Sequence, residues 1–196
     1  HHPVVLGDRA YLGYWDAGFV ILDVSELEEP RMISRRCYSP PYGGAFHTAL
    51  PIARKIEGRS WLVVFQESLA PYDMEGLKMM WMVDITDEAN PVSVATYRVP
   101  TEGFNLTQGR FGPHQPHEDL QVKDDLIYAA WFSGGLRIIS IADPYRPCEV
   151  GHYVPEPPRG QDEIHTNDVD VDDRGLIYTI DRIDGGLHIL KYTGPR

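Results

Sequence analysis

Apolar residues come in short runs along this chain, and clusters of Gly, Pro, Asp and Asn separate them. The first runs read "VVLG", "AYLGYW", "FVILDV" and "RMISRRCY", and their β-branched and aromatic residues suit pleated strands. "FVILDV" (19–24) and "LRIISI" (136–141) are nearly continuous in apolar residues, which predicts strands buried on both faces. No stretch repeats its apolar positions every three to four residues over a helix-length window, so helices should be scarce.

The pattern recurs. Setting residues 9–34 above 125–150 at an offset of about 117 brings Tyr11 onto Tyr128, Gly18 onto Gly135 and Pro30 onto Pro147. "MMWMVDITDEANPVSVATY" (79–97) shares the register, with Asp84 and Pro91 spaced as Asp23 and Pro30 are. "LIYTIDRIDGGLHILKY" (176–192) is a fourth copy, with Tyr178 and Gly186 in matching places. About four repeats of four short strands predict an all-β chain folded as a β-propeller. The repeats cover approximately 1–42, 43–100, 117–154 and 165–196, and 101–116 is an insertion loop. The last repeat lacks its outer strand, so its blade is expected to be incomplete. A closed ring would take strands from an upstream segment or from a second chain. The expected whole is a larger, six- to eight-bladed ring.

Charge narrows the partners. Asp and Glu number 29 against 18 Lys and Arg, a formal charge of −11, and no basic stripe is present to bind nucleic acid. No apolar run approaches the roughly 18 residues of a membrane span. Cys37 and Cys148 are expected to be buried free thiols, and low cysteine usage leaves both cytosol and periplasm open.

Histidines gather where inner strands begin. His1 and His2 precede "VVLG", His47 precedes "TALPI", His117 precedes "DLQV", and His165 precedes "NDVDV". In a propeller those positions surround one mouth of the central channel. The expectation is one transition metal ion (Fe, Cu, Mn or Zn) on the channel axis, held by His2, His47, His117 and His165, with His1 and His114 as alternates. Glu118 and Asp168, each near a candidate ligand, are the candidates for proton transfer, and they or Asp119 could orient the imidazoles. In the insertion, Phe104, Arg110 and Phe111 are candidates for substrate contact, with Arg110 as an anion contact. His152 and His188 are expected to be structural. "VDVDDRG" (169–175) is expected to be a solvated hairpin, with calcium binding as the rival reading.

The copies "GFVILDVSELEEP", "MMWMVDITDEANP" and "GLRIISIADPYRP" resemble the LVIVD-repeat proteins, a β-propeller family, and the likeness covers nearly the whole chain. "HHPVV", "GGAFHTALP", "FGPHQPHE" and "TNDVDVDDRGLIYTIDR" resemble the C-terminal half of longer members. The resemblance carries over His1, His2, His47, His114, His117 and Glu118. His165 departs from the family pattern, where another polar residue often stands, which favours His2 or His114 in its place. The family name implies architecture more than reaction. A looser analogy, by fold alone, is with other propellers that ring a central metal with histidines. The expected function is metal-dependent chemistry on a small organic molecule, with oxidation or reduction ahead of hydrolysis or lyase chemistry. The alternative is a non-catalytic propeller module that binds or scaffolds.

Overall fold

The computed structural model describes residues 2–120 and 124–194. Its strands form four antiparallel sheets taken up in chain order. Sheet 1 holds β1 (Pro3–Leu6), β2 (Arg9–Gly13), β3 (Phe19–Asp23) and β4 (Arg31–Arg36). Sheet 2 holds β5 (Phe46–Ile56), β6 (Arg59–Gln66), β7 (Met80–Asp84) and β8 (Val92–Tyr97). Sheet 3 holds β9 (Leu126–Ala130), β10 (Leu136–Ser140) and β11 (Cys148–Tyr153), and sheet 4 holds β12 (Thr166–Val171), β13 (Leu176–Asp181) and β14 (Leu187–Lys191). A single turn of helix, α1 (Tyr72–Glu75), is the only helix among the described residues.

The repeated residues have repeated tasks. Asp23 and Asp84 end the third strand of their sheets, and each carboxylate accepts the backbone N–H two residues on, from Ser25 and Thr86, at 2.9 Å. That bond closes the turn into the outer strand. Pro30, Pro91 and Pro147 then stand immediately before β4, β8 and β11, edge strands where a missing N–H costs no ladder bond. Gly18 and Gly135 have φ of 88° and 77°, a conformation that turns the chain into the third strand and that a Cβ would oppose.

The sheets stack face to face in order. Phe19, Ile21, Phe46, Leu62, Val64 and Trp81 pack between sheets 1 and 2. Trp61, Val63, Phe65, Met82, Ile127 and Trp131 pack between sheets 2 and 3, and Tyr128, Leu136, Ile138, Val169 and Ile177 between sheets 3 and 4. Blades arranged this way are those of a β-propeller, and the third strands β7 and β10 are buried almost throughout. β14 differs: Leu187 and Ile189 are each 59% exposed, because no sheet covers that face of sheet 4 among the described residues.

Two local expectations change. Cys37 and Cys148 are free but exposed, since both lie on outer strands or just beyond them, where solvent replaces a neighbouring sheet. The inner position beside β9 is filled by 114–117, not by a strand beginning at "DLQV", of which residues 121–122 lie outside the described residues. His114 donates its N–H to Ala130 O (3.0 Å), Ala130 to Gln115 O (2.8 Å) and His117 to Tyr128 O (2.8 Å). His114 and His117 therefore lie within the inner segment rather than ahead of it.

Candidate metal centre

His47 is the second residue of β5, and Glu67 directly follows β6. These strands pair with Phe46 opposite Gln66, so both side chains come to the same end of sheet 2. Ala45, in the left-handed region at φ 62°, turns the chain into β5 and accepts the Glu67 N–H at 2.7 Å. Strain of this kind persists where surrounding structure enforces it. His114 arrives from sheet 3, its ring centroid 4.5 Å from that of His47. His47 Nε2 lies 4.0 Å from Glu67 Oε2, and His114 Nε2 lies 3.8 Å from Glu67 Oε1. The side chains of His47, Glu67 and His114 are 2%, 10% and 13% exposed.

Their hydrogen bonds fix which nitrogen faces inward. His114 donates its Nδ1–H to the backbone carbonyl of Asn167, 2.5 Å away, which leaves the Nε2 lone pair toward Glu67. His47 Nδ1 lies 2.8 Å from Thr48 Oγ1, and the Thr48 hydroxyl is itself turned to Gln115 Oε1 at 3.3 Å. Thr48 is thus the acceptor and His47 also keeps its lone pair on Nε2. Burial, reinforced by the neighbouring His114, pushes His47 down to about 3, and burial lowers His114 as well. Both rings are neutral at physiological pH. Burial raises Glu67 above the ordinary carboxylate range, opposed by Arg110, whose Nη1 donates to Glu67 Oε1 at 3.0 Å.

Two imidazole lone pairs and a carboxylate facing one point attract a cation. The three donor atoms all lie within 4.8 Å of one another, and no other such group of three occurs among the described residues. Ligands at bonds of about 2.1 Å in tetrahedral array stand roughly 3.4 Å apart, so the two histidine–carboxylate contacts of 4.0 and 3.8 Å would have to close slightly around an ion. The outer nitrogens are already held, as ligating histidines require. Asn167 Oδ1 is buried beside the group with no hydrogen-bond partner.

The other predicted residues fall elsewhere. His117 Nδ1 accepts the Val171 N–H at 3.2 Å and faces Asp170 at 3.0 Å, and its Nε2 is buried without a partner. His2 Nε2 lies 2.7 Å from Glu118 Oε2, although its charge also acts on His47. His1 lies outside the described residues. Glu118 and Asp168 line one cleft of about 400 Å³ together with Gln115 and His117, so the structure brings these two carboxylates to the flank of the group and not into it. Burial raises Asp168. Asp119 lies on a second cleft beside Leu50 and Leu120. Phe111 is 3% exposed, and its ring lies tilted against that of the partly buried Phe104 at 4.8 Å. Of Phe104, Arg110 and Phe111, Arg110 is the one that contacts Glu67.

His165 is displaced by a register the sequence hides. Arg182 donates its N–H to His165 O at 2.9 Å, just as Glu67 donates to Ala45 O. Trp15 bridges Phe46, and its repeat partner Phe132 bridges Thr166. Both relations make His165 the counterpart of Ala45, and Asn167 the counterpart of His47. The residues that sequence reasoning missed are therefore Glu67 and Asn167. The available signal for Glu67 was its place at the end of "WLVVFQE", a lone carboxylate closing an apolar strand.

The "VDVDD" turn forms no acidic cage. Asp172 accepts the N–H groups of Arg174 and Leu176 (both 3.0 Å), the Arg174 guanidinium and the Tyr178 hydroxyl. His152 pairs with Glu149 at 2.8 Å, and His188 meets Tyr153 at 3.2 Å, both in packing or surface roles.

Fold and repeat chemistry together define a β-propeller chain with a His/Glu group at one sheet end. The LVIVD repeat model matches residues 4–36 and 117–154, which supports an assignment to the LVIVD-repeat family. No curated protein matches it. No helix among the described residues is long and apolar enough to cross a membrane.

Proposed function

We propose that His47, Glu67 and His114 hold one divalent transition metal ion, and that the protein acts on a small organic molecule bound beside it. The observation that carries this reading is the pair of tautomers: both Nδ1 atoms are committed to fixed acceptors, so both Nε2 lone pairs face the Glu67 carboxylate. Two imidazoles and one carboxylate suit zinc and non-haem iron alike. An ion there supplies a Lewis acid, and iron or copper would supply a redox centre as well. Oxidation or reduction of the substrate is the chemistry favoured, by analogy of fold.

The chain's own groups do the rest. Thr48 and Asn167 hold the imidazoles in place, and the burial of all three donors keeps water from competing for them. Asp168, raised by burial and within electrostatic reach of His114, is the group suited to carry a proton at the cleft edge. Glu118, at 2.7 Å from His2, is a second such group. A second reading, a non-catalytic module, is favoured by one observation: the His114–Asn167 bond also fastens sheet 3 to sheet 4.

Metal analysis of the full chain after reconstitution with Fe(II), Zn(II), Mn(II) or Cu(II) separates them. About one ion per chain is expected, lost in His47→Ala and Glu67→Gln and kept in His117→Ala. Wild-type protein that stays empty, or an ion that departs with His117, overturns the reading.

A further inference from the structure

Equivalent residues just beyond the second strand can be matched across the four sheets. The strand pairings of Gly13 with Phe19, Phe65 with Met80, Ala130 with Leu136 and Ile180 with Leu187 are equivalent. Counting two residues on gives Trp15, Glu67, Phe132 and Arg182. Sheet 2 thus contributes a carboxylate, sheet 3 a ring and sheet 4 a guanidinium. Phe132, fully buried with φ 42°, carries the His114 ring at 4.9 Å. The same ring has the Cζ of Arg110 at 5.3 Å and that of Arg182 at 5.9 Å.

Two cations on one aromatic ring are unusual in a chain of net charge −11. Both act electrostatically on Glu67, His114 and His165, so their charge is felt at the centre itself. Only one carboxylate answers them. Glu67 takes Arg110 Nη1, while Arg182 has no carboxylate or carbonyl partner for its guanidinium among the described residues. Asp181, its sequence neighbour, is spent on the backbone N–H groups of His165, Ile183 and Gly185. Arg182 is exposed, so its fork of donors is open to a ligand. Stacking on Phe132 restricts the guanidinium without consuming its donors.

We propose that Arg110 and Arg182 form an anion-binding pair beside the His47–Glu67–His114 group, and that its ligand is a small organic carboxylate. The assignment deepens the reading of that group as a metal centre, on which it rests for the ligand's second anchor; the arginine pair itself stands without metal. A carboxylate is favoured over a phosphate because one complete fork is free. A planar carboxylate is satisfied by a single bidentate guanidinium, whereas phosphate sites commonly add a helix N-terminus, and the only helix among the described residues is the single turn α1.

Calorimetric titration tests this with malonate, pyruvate and inorganic phosphate at equal ionic strength, on wild-type protein and on Arg182→Gln and Arg182→Lys, with metal content measured on each sample. The expected result is binding of a carboxylate probe that weakens by about tenfold or more in Arg182→Gln and is partly restored in Arg182→Lys, with metal content unchanged. Metal retained but carboxylate binding absent, or indifferent to Arg182, overturns the inference and leaves the metal centre standing. Phosphate binding as tightly through Arg182 overturns the carboxylate class. Arg182-dependent carboxylate binding in protein that takes up no metal sinks the metal reading and keeps the anion pair.

Discussion

Asn167 occupies in the fourth sheet the place that His47 holds in the second, two residues past a carbonyl that accepts an N–H from the end of the neighbouring strand. The bonds are Arg182 to His165 at 2.9 Å and Glu67 to Ala45 at 2.7 Å. A histidine that looks like a ligand in the sequence therefore lies outside the His47–Glu67–His114 group, and the backbone carbonyl of Asn167, two residues on, accepts from His114. His165→Ala should leave metal content at the wild-type level, and His114→Ala should abolish it. Metal analysis of the two purified variants decides the matter; an empty His165→Ala protein with intact fold would return the fourth sheet's histidine to the centre.

Thr48 tests the outer layer of the site. Its hydroxyl is the acceptor that keeps the proton of His47 on Nδ1. Thr48→Val preserves the shape and removes that acceptor, so metal affinity should fall by roughly 10- to 100-fold, while the far-ultraviolet circular dichroism stays as it was. Competition against a chromogenic chelator gives the affinity. An unchanged constant would mean that the imidazole needs no such support.

How much of this was readable beforehand follows from where the repeat is strict. The Asp–Pro spacing and the glycines at 18 and 135 have one conformational reason each, and they made the four sheets legible. The mouth of the channel is different. β5 and β6 are joined by a tight turn at Glu57 and Gly58, both at positive φ, from which register could be counted back to Glu67. Irregularities at Ile52/Ile56 and at Phe46/Thr48 break that count, and another at Thr166/Asp168 does so in sheet 4. One extra residue turns every later side chain to the other face. His47 was identified and Glu67 and Asn167 were not, because which of several consecutive residues faces inward is set by bulges that leave no mark in composition.

Gly13 packs against the site from sheet 1. A Cβ built on it would fall inside the carbonyl of His47, and the nearby atoms are backbone that cannot swing aside. Gly13→Ala should cost about 1–3 kcal/mol in urea unfolding and loosen metal binding by moving β5. Gly7→Ala separates the two effects, since Gly7 has the positive φ (58°) that Gly13 lacks but open space where a Cβ would sit. Should Gly13→Ala prove as stable as wild type, β5 is free to shift and the site is less rigid than its contacts imply.

The two faces of sheet 4 should respond unequally. Ile177 is 1% exposed against sheet 3, and Ile189 is 59% exposed on the opposite side. Ile177→Val should cost about 0.5–1.5 kcal/mol, and Ile189→Val should stay within about 0.5 kcal/mol. Equal losses in parallel unfolding curves would show that the outer face is covered in solution.

Glu163 gives the chain a pH dependence of a definite sign. Both its carboxylate oxygens are buried without a hydrogen-bond partner, under the backbone of Gly109 and beside His165. Burial, with the nearby Asp162 adding to it, pushes its pKa up to about 6 from the ordinary 4.5. The folded state therefore binds the proton more tightly than the unfolded chain does. Its contribution to stability is complete below pH 4.5 and is lost as pH rises through 6. The buried His47 and His114 have the opposite sign, because they favour the neutral form and cost stability as pH falls below the ordinary histidine range. Comparing wild type with Glu163→Gln isolates the carboxylate from these. The variant should gain in melting temperature relative to wild type at pH 7.5 and lose most of that advantage at pH 4.5. A difference that is constant across that range, or larger at low pH, would mean that Glu163 ionises freely and that a partner satisfies its charge.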